Sequence, residues 1–485
     1  MKHRPCHTPG VIAVAGAMLA LLSACAATPA VDRAMAPAAA RYTADPLALE
    51  SAEEQADAQR LALGEDLRRD WWQLFGSGDI DGIVRSALAG NRDVAAAAAR
   101  LQQARALADL QDESTGPEGN LTAGAGRQKY GKQFFGDSLP AIPPFTYFSL
   151  GADLGDSFDF GKASQQRIRQ YRAQADYERQ QLRAAWLAVT GDAVSHYIAM
   201  AAARSQLASA EALLRQDRQY LELLAEARAA GAASELDVAD ADARLATDTA
   251  LLPPIRQQLD SARNALAVLQ GQPPTTATPP AADLASLTLP QRLPVALPAE
   301  LARRRPDIQA AEAQLDAATA VVGIAHAAFY PHLTLTASTG LQATEMGKLF
   351  DHSSGVFGLT GSFAVPLLNR GALRSQQNAA VAAMHASAAR YEQTVLQAFA
   401  QVSDALYALE HDAELLTATG QSGEAEATRA RLLHTAREQG SGGILPLLEA
   451  TRRQQLAELQ RLQARSQQLR DTVRLFIALG GAVPD

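Results

Sequence analysis

From Lys162 to Ala230 the chain runs 69 residues with no proline and one glycine, Gly191. From Ala372 to Gln439 it does so again, interrupted only by Gly420 and Gly423. Proline removes an N–H and clashes with the preceding turn, so its absence over such a length allows one helix of about 100 Å at 1.5 Å per residue. No globular core needs a helix that long. Trp186, Ala193, Met200, Leu207, Leu214 and Leu221 fall seven apart, and Leu182, Val189, His196, Ala203, Ala210, Asp217 and Leu224 mark the companion positions. A sustained seven-residue repeat implies left-handed supercoiling, and alanine in the seam lets helices approach closely. The pattern predicts long paired coiled-coil helices.

The two runs sit in a sequence that is written twice. Residues 92–104 can be laid over residues 306–318 at an offset of 214. Gly161 and Gly371 open the long runs 210 apart, Gly231 and Gly440 end them 209 apart, and Leu269-Gln270-Gly271 matches Leu479-Gly480-Gly481 at 210. Alanine-rich helices look alike by chance, so the ordered spacing of these landmarks carries the expectation of an internal duplication. Each half reads as helix, two strands, long helix, turn, helix.

The strands come from period-two alternation. In the first half Leu121, Ala123 and Ala125 share a face, as do Phe148, Leu150, Ala152 and Leu154; in the second, Leu333, Leu335, Ala337 and Leu341, then Phe357, Leu359, Phe363 and Val365. Small polar residues such as Thr334, Thr336, Ser338, Thr360 and Ser362 take the opposite face. Soluble hairpins alternate in the same way, but about ten residues is also the length of a transmembrane barrel strand. Of 23 Phe and Tyr residues, 13 lie within residues 130–160 and 329–363, and aromatic girdles belong at membrane interfaces. Four strands cannot close a barrel in lipid, so several copies are expected to share one.

The N-terminus reads as an address. Lys2 and Arg4 precede an apolar run, Val11 to Leu22, that is too short to span a bilayer and has the layout of a signal peptide. It ends in Leu22-Ser23-Ala24-Cys25, which resembles a bacterial lipobox and marks Cys25 as a lipidated first mature residue, with no aspartate at the next position. Cys6 and Cys25 are the only cysteines, so the mature chain has no disulfide and no thiolate metal site. A formal charge of -8, with 44 Lys and Arg against 52 Asp and Glu, excludes a phosphate-tracking nucleic-acid partner. Nine scattered histidines form no His-x-x-x-His pair, and no phosphate loop or nucleophile elbow occurs. Nothing here indicates an enzyme, a metal or a cofactor other than the lipid. Residues 271–298 carry seven prolines and are expected to be largely irregular, and Arg303-Arg304-Arg305 reads as a solvated or locally paired run.

Several segments together resemble the TolC-like outer membrane efflux proteins, in particular their lipoprotein branch. They are Trp71-Trp72-x-Leu74-Phe75, Asn91-Arg92-Asp93, Leu301 through Glu312 with its Arg-Arg-Pro-Asp-Ile core, Ala327-Ala328-Phe329-Tyr330-Pro331, and Ala478-Leu479-Gly480-Gly481. The resemblance spans nearly the whole mature chain. It implies a homotrimer in the outer membrane, each protomer giving four strands to one 12-stranded barrel and long helices to a trimeric α-barrel tunnel reaching into the periplasm. It implies as partners a periplasmic adaptor and an inner-membrane RND-type transporter, with the chain as the passive exit duct of a tripartite drug-efflux pump. The family places its aperture beside the tip turns, here Gly231 to Ser234 and Gly440 to Gly443, which are also the surface for the adaptor. Its second-repeat aperture carries two acids three apart; here Pro446 replaces the first and Glu449 occupies the second, with Leu445 at the hydrophobic constriction of the lipoprotein branch. Three carboxylates crowded on one axis would repel one another and attract cations. Asp237 and Asp240 keep the three-residue spacing in the first repeat and are assigned to the tip turn or the adaptor contact.

The expected organisation is a signal peptide (1–24), an anchor and extended segment (25–78), a first repeat (79–270), a proline-rich equatorial linker (271–298) and a second repeat (299–485). A duct for type I protein secretion and a structural coiled-coil envelope lipoprotein are the two other readings open to this sequence.

Overall fold

The computed structural model describes residues 39–47, 59–131, 143–278 and 280–481. The signal peptide and Cys25 lie outside the described residues. In chain order the elements are β1 (Arg60–Leu63), α1 (Gly78–Gly90), α2 (Arg92–Glu113), β2 (Glu118–Gln128), β3 (Phe145–Asp159), α3 (Ala163–Ala229), α4 (Glu235–Thr249), α5 (Leu252–Leu269), β4 (Arg292–Val295), α6 (Pro298–Arg304), α7 (Pro306–Ala327), β5 (His332–Ala343), β6 (Gly355–Ala364), α8 (Arg370–Glu438) and α9 (Ile444–Ala478). Both long runs are single helices, of 67 and 69 residues. No described helix is long and apolar enough to cross a membrane.

The chain divides into two compact units. One, from Asp109–Gln170 and Asp316–Ala386, holds an antiparallel sheet in the order β2-β3-β5-β6. Its register puts Leu121 opposite Ala152, Leu150 opposite Leu341, and Ala337 opposite Leu359. Because side chains alternate across a strand, this register gathers the apolar sets, up to Phe363 in β6, onto one face and most of the serines and threonines onto the other, Thr339 and Thr146 being on the apolar face. That apolar face is uncovered: Leu121 is 79% exposed, Leu359 80% and Phe357 91%. Among the described residues β2 and β6 each pair on one side only.

The other unit, from Ala36–Ala108, Tyr171–Leu315 and Ser387–Asp485, carries a core of small residues. Ala193, Ala201, Ala203 and Ala210 of α3 and Ala450, Ala457, Ala464 and Ala478 of α9 are buried. A Cβ at Gly191 would come within 2.1 Å of Ile477 Cδ1, so the Ile477 side chain of α9 packs directly on the α3 backbone there. The Trp71 motif forms a short 3-10 turn whose Trp71 and Phe75 pack edge-on against Phe476, at ring-centroid distances of 5.5 and 6.4 Å.

One expectation changes. After the first tip the single expected helix is two, because Pro253 and Pro254 cannot continue the hydrogen-bond ladder and the chain restarts at Leu252, whereas α9 runs unbroken for 35 residues. The proline-rich linker is largely irregular as expected, apart from a short turn and Arg292–Val295, which pairs in parallel with Arg60–Leu63. The arginine run is solvated at Arg303 and locally paired at Arg304, to Glu300, and at Arg305, to Asp307 Oδ2 at 2.6 Å; Arg305 is in addition buried and donates to the Ala478 carbonyl and to Gln401 Oε1, each at 2.7 Å.

Candidate functional site

The tips at the ends of α3 and α8 use one backbone device. Gly231 and Gly440 take φ of 74° and 73°. Their N–H groups donate to Arg228 and Arg437, each at 2.9 Å, and the next N–H, from Ala232 or Ser441, reaches back to Ala227 at 2.7 Å or Ala436 at 2.9 Å. This pair of bonds satisfies the last helix carbonyls and needs a left-handed residue, which glycine adopts without strain.

The helices that follow start differently. Ser234 caps α4: its hydroxyl accepts from the Asp237 N–H at 3.1 Å, while the Asp237 carboxylate accepts from the Ser234 N–H at 2.8 Å and from its hydroxyl at 2.7 Å. These bonds hold the Asp237 carboxyl below the usual carboxylate range. Asp237 therefore builds the turn, and Asp240 stands exposed beside it. Gly443 precedes α9 with no side-chain cap, and Pro446 lies in the first turn, where a missing N–H leaves no bond unmade.

Leu445 and Glu449, four residues apart, lie one turn above the other on α9. Leu445 is half-buried. Glu449 is not a bare carboxylate: Arg244 of α4 donates to its Oε2 at 2.8 Å and Arg453 to its Oε1 at 3.1 Å. One turn on, Arg452 reaches Asp248 of α4 at 2.8 and 3.0 Å, and lies 3.5 Å from Asp217 of α3. The side chains of Asp217 and Asp248 are only 6% and 5% exposed. Burial first, then the neighbouring Asp248, push the Asp217 carboxyl up to about 7 against the pull of Arg452. Its Oδ2 has no hydrogen-bond partner, and a proton there would be shared between the two acids. The start of α9 is thus tied to α3 and α4 by ions instead of by a cap.

Of the sequence-derived residues, the structure brings Glu449 into this cluster and leaves Ser234 and Asp237 bonded to one another. Asp217, Arg244, Asp248 and Arg452 were not singled out from the sequence as site residues. Asp217 left a trace, an acid on a heptad line whose other positions are mostly apolar; the rest look like ordinary surface charges on a helix.

The chain matches the model of the outer membrane efflux protein family twice, over residues 83–272 and 297–481. It is 32% identical over 470 residues to the pyoverdine export outer membrane protein OpmQ of Pseudomonas aeruginosa, covering 95% of this chain and 94% of that one. It is 29% identical over 467 residues to the toluene efflux pump outer membrane protein TtgF of Pseudomonas putida, covering 96% and 95%. The structure of the outer-membrane channel OprN superposes with a TM-score of 0.80 at 27% identity, over 93% of this chain and 99% of that one. The chain belongs to the outer membrane efflux protein family, and its place is the outer membrane.

Proposed function

We propose that three copies of this chain form a passive exit duct of a tripartite efflux pump, anchored by lipid on Cys25. Each copy would give its four strands to one 12-stranded barrel and its long helices to a periplasmic tunnel. The observation that carries this reading is the uncovered apolar face of β2-β3-β5-β6, with its polar opposite face and one-sided edge strands. An apolar outer face meets lipid, a polar inner face lines an aqueous pore, and the edges pair with the next copy, since open edges are not tolerated in hydrocarbon. An internal duplication, with repeats at 79–270 and 299–485, is supported by the twofold family match and by the shared cap geometry at Gly231 and Gly440. Energy comes from an RND-type inner-membrane transporter, reached through a periplasmic adaptor docked at the tips near Gly231, Ser234, Gly440 and Gly443. The cargo is small molecules; the named relatives serve pyoverdine export and toluene efflux.

In this reading Leu445 and Glu449 narrow the tunnel at its far end, and the Arg244 and Arg452 ion pairs hold α9 in the narrowed position. Single-channel conductance of the purified protein in planar bilayers tests both parts. Wild type and Glu449→Ala should both conduct, the variant with weaker cation preference. Conductance with unchanged preference removes the aperture assignment, and no conductance from inserted, folded protein removes the duct.

A further inference from the structure

On segments distinct from the tips, a second group of arginines surrounds a cavity of about 230 Å³. Arg183 of α3, Arg303 and Arg304 at the end of α6, Asp66, and the backbone leaving α9 at Leu479 and Gly481 line it. Arg304 is neutralised by Asp66 and, at 2.9 Å, by Glu300. The other two guanidiniums have no acid partner among the described residues. Arg183 Nη1 donates only to neutral amide oxygens, of Gln180 at 3.2 Å and Gln309 at 3.1 Å, and its Nε is buried without an acceptor. Arg303 has no ion-pair partner among the described residues.

The cavity is built, not incidental. Gln309 ties two of its walls together, its Oε1 accepting from Arg183 and its Nε2 donating to the Arg303 carbonyl. The chain leaving α9 lies against the arginine segment as bare backbone: a Cβ at Gly480 would come within 3.1 Å of the Arg304 carbonyl oxygen and 3.2 Å of Arg305 Cα. Buried donors without acceptors are rare in native proteins and mark a missing partner. A guanidinium stays charged and presents a planar fork that matches carboxylate and phosphate oxygens. The volume is below the roughly 300–1,000 Å³ of drug-sized sites, and suits a single charged group.

We propose that this cavity binds an oxyanion, a carboxylate or phosphate group, with Arg183 and Arg303 as its ligands. The group comes either from a free small anion or from an acidic side chain of a second copy of this chain. The full-length protein in neutral detergent is titrated with sodium phosphate at constant ionic strength, and its thermal unfolding midpoint followed. A saturable rise in wild type and in the surface control Arg85→Gln, with apparent affinity about tenfold or more weaker in Arg183→Gln and in Arg303→Gln, establishes a free-anion site. Arg303 is exposed, so its variant keeps the test sharp should Arg183→Gln fail to fold. No phosphate response in wild type, together with dissociation of the assembled copies in the double variant by light scattering, assigns the oxyanion to a second copy. Equal responses in all variants, or neither response, overturn the proposal.

Discussion

At the first tip, Ser234 and Asp237 satisfy the donors that open α4 within four residues of chain. At the second, Gly440, Gly442 and Gly443 lead into α9 with no side-chain cap, and no acid sits in its first turn. The turns themselves are alike, with the same left-handed glycine and the same back-bonds. What differs is the source of order: one helix start is held by its own neighbours in sequence, the other by Arg244 and Asp248 about 200 residues away, and by Asp217. A start held by distant ions can be released without unfolding its turn, which is what a moving aperture needs.

The largest test of this contrast is Arg452→Ala. It leaves Asp217 and Asp248 buried without their cation, and breaking a buried pair from one side costs about 3 kcal/mol or more. Amide hydrogen exchange should show α9 loosening near residues 444–452 while the Ser234 turn stays protected; equal loosening at both tips would erase the distinction. Next comes pH. The folded Asp217 carboxyl titrates at about 7 against an ordinary 3.8, so the folded state holds the extra proton, and its stabilisation is full below about pH 4 and lost as pH rises through 7. Burial is the largest cause of the shift, and Asp248, Arg452 and Glu449 are the charged groups that face the carboxyl. The thermal midpoint should therefore fall over that window, and less steeply in Asp217→Asn. Asp412, pushed up to about 7 by burial and by Asp471, adds its own slope, so Asp412→Asn must be measured alongside.

Smaller effects test the shared part. Gly231→Ala and Gly440→Ala place a Cβ at left-handed φ and should each cost about 1–2 kcal/mol. Values that differ by more than a few tenths would mean that the turns are not equivalent. Ser234→Ala removes a cap and should cost about 1 kcal/mol in the stability of α4. Gly443→Ser offers α9 the cap it lacks and should add a few tenths of a kcal/mol. Should that variant also lower channel opening, the missing cap matters to gating.

The repeated order of helices and strands was legible because it is written in local periodicities: seven-residue lines in α3, alternation in β5, left-handed glycines at the tips. The faces expected for the four strands are the faces the register assembles, since a one-residue slip would have mixed Leu335 with Thr334. Much of the ion cluster was not legible. Arg452 and Asp248 meet across 204 positions, and on a helix rich in Arg and Glu nothing local marks which charge turns inward. Asp217 could be seen to be out of place on its heptad line, though its partner could not. The split between α4 and α5 was written in Pro253 and Pro254, yet the matching run in α9, whose one proline, Pro446, sits in the first turn, obscured it.

The exposed apolar face carries a consequence for biogenesis. Phe357 and Leu359 lie on an edge strand, and a newly made copy that meets water with that strand open is a template for wrong pairing. The helices are built from contacts near in sequence, whereas the sheet must join β3 to β5 across roughly 190 residues and, in the proposed duct, then find lipid. In the proposed duct, the time between those two events is the interval in which this edge is open to wrong pairing.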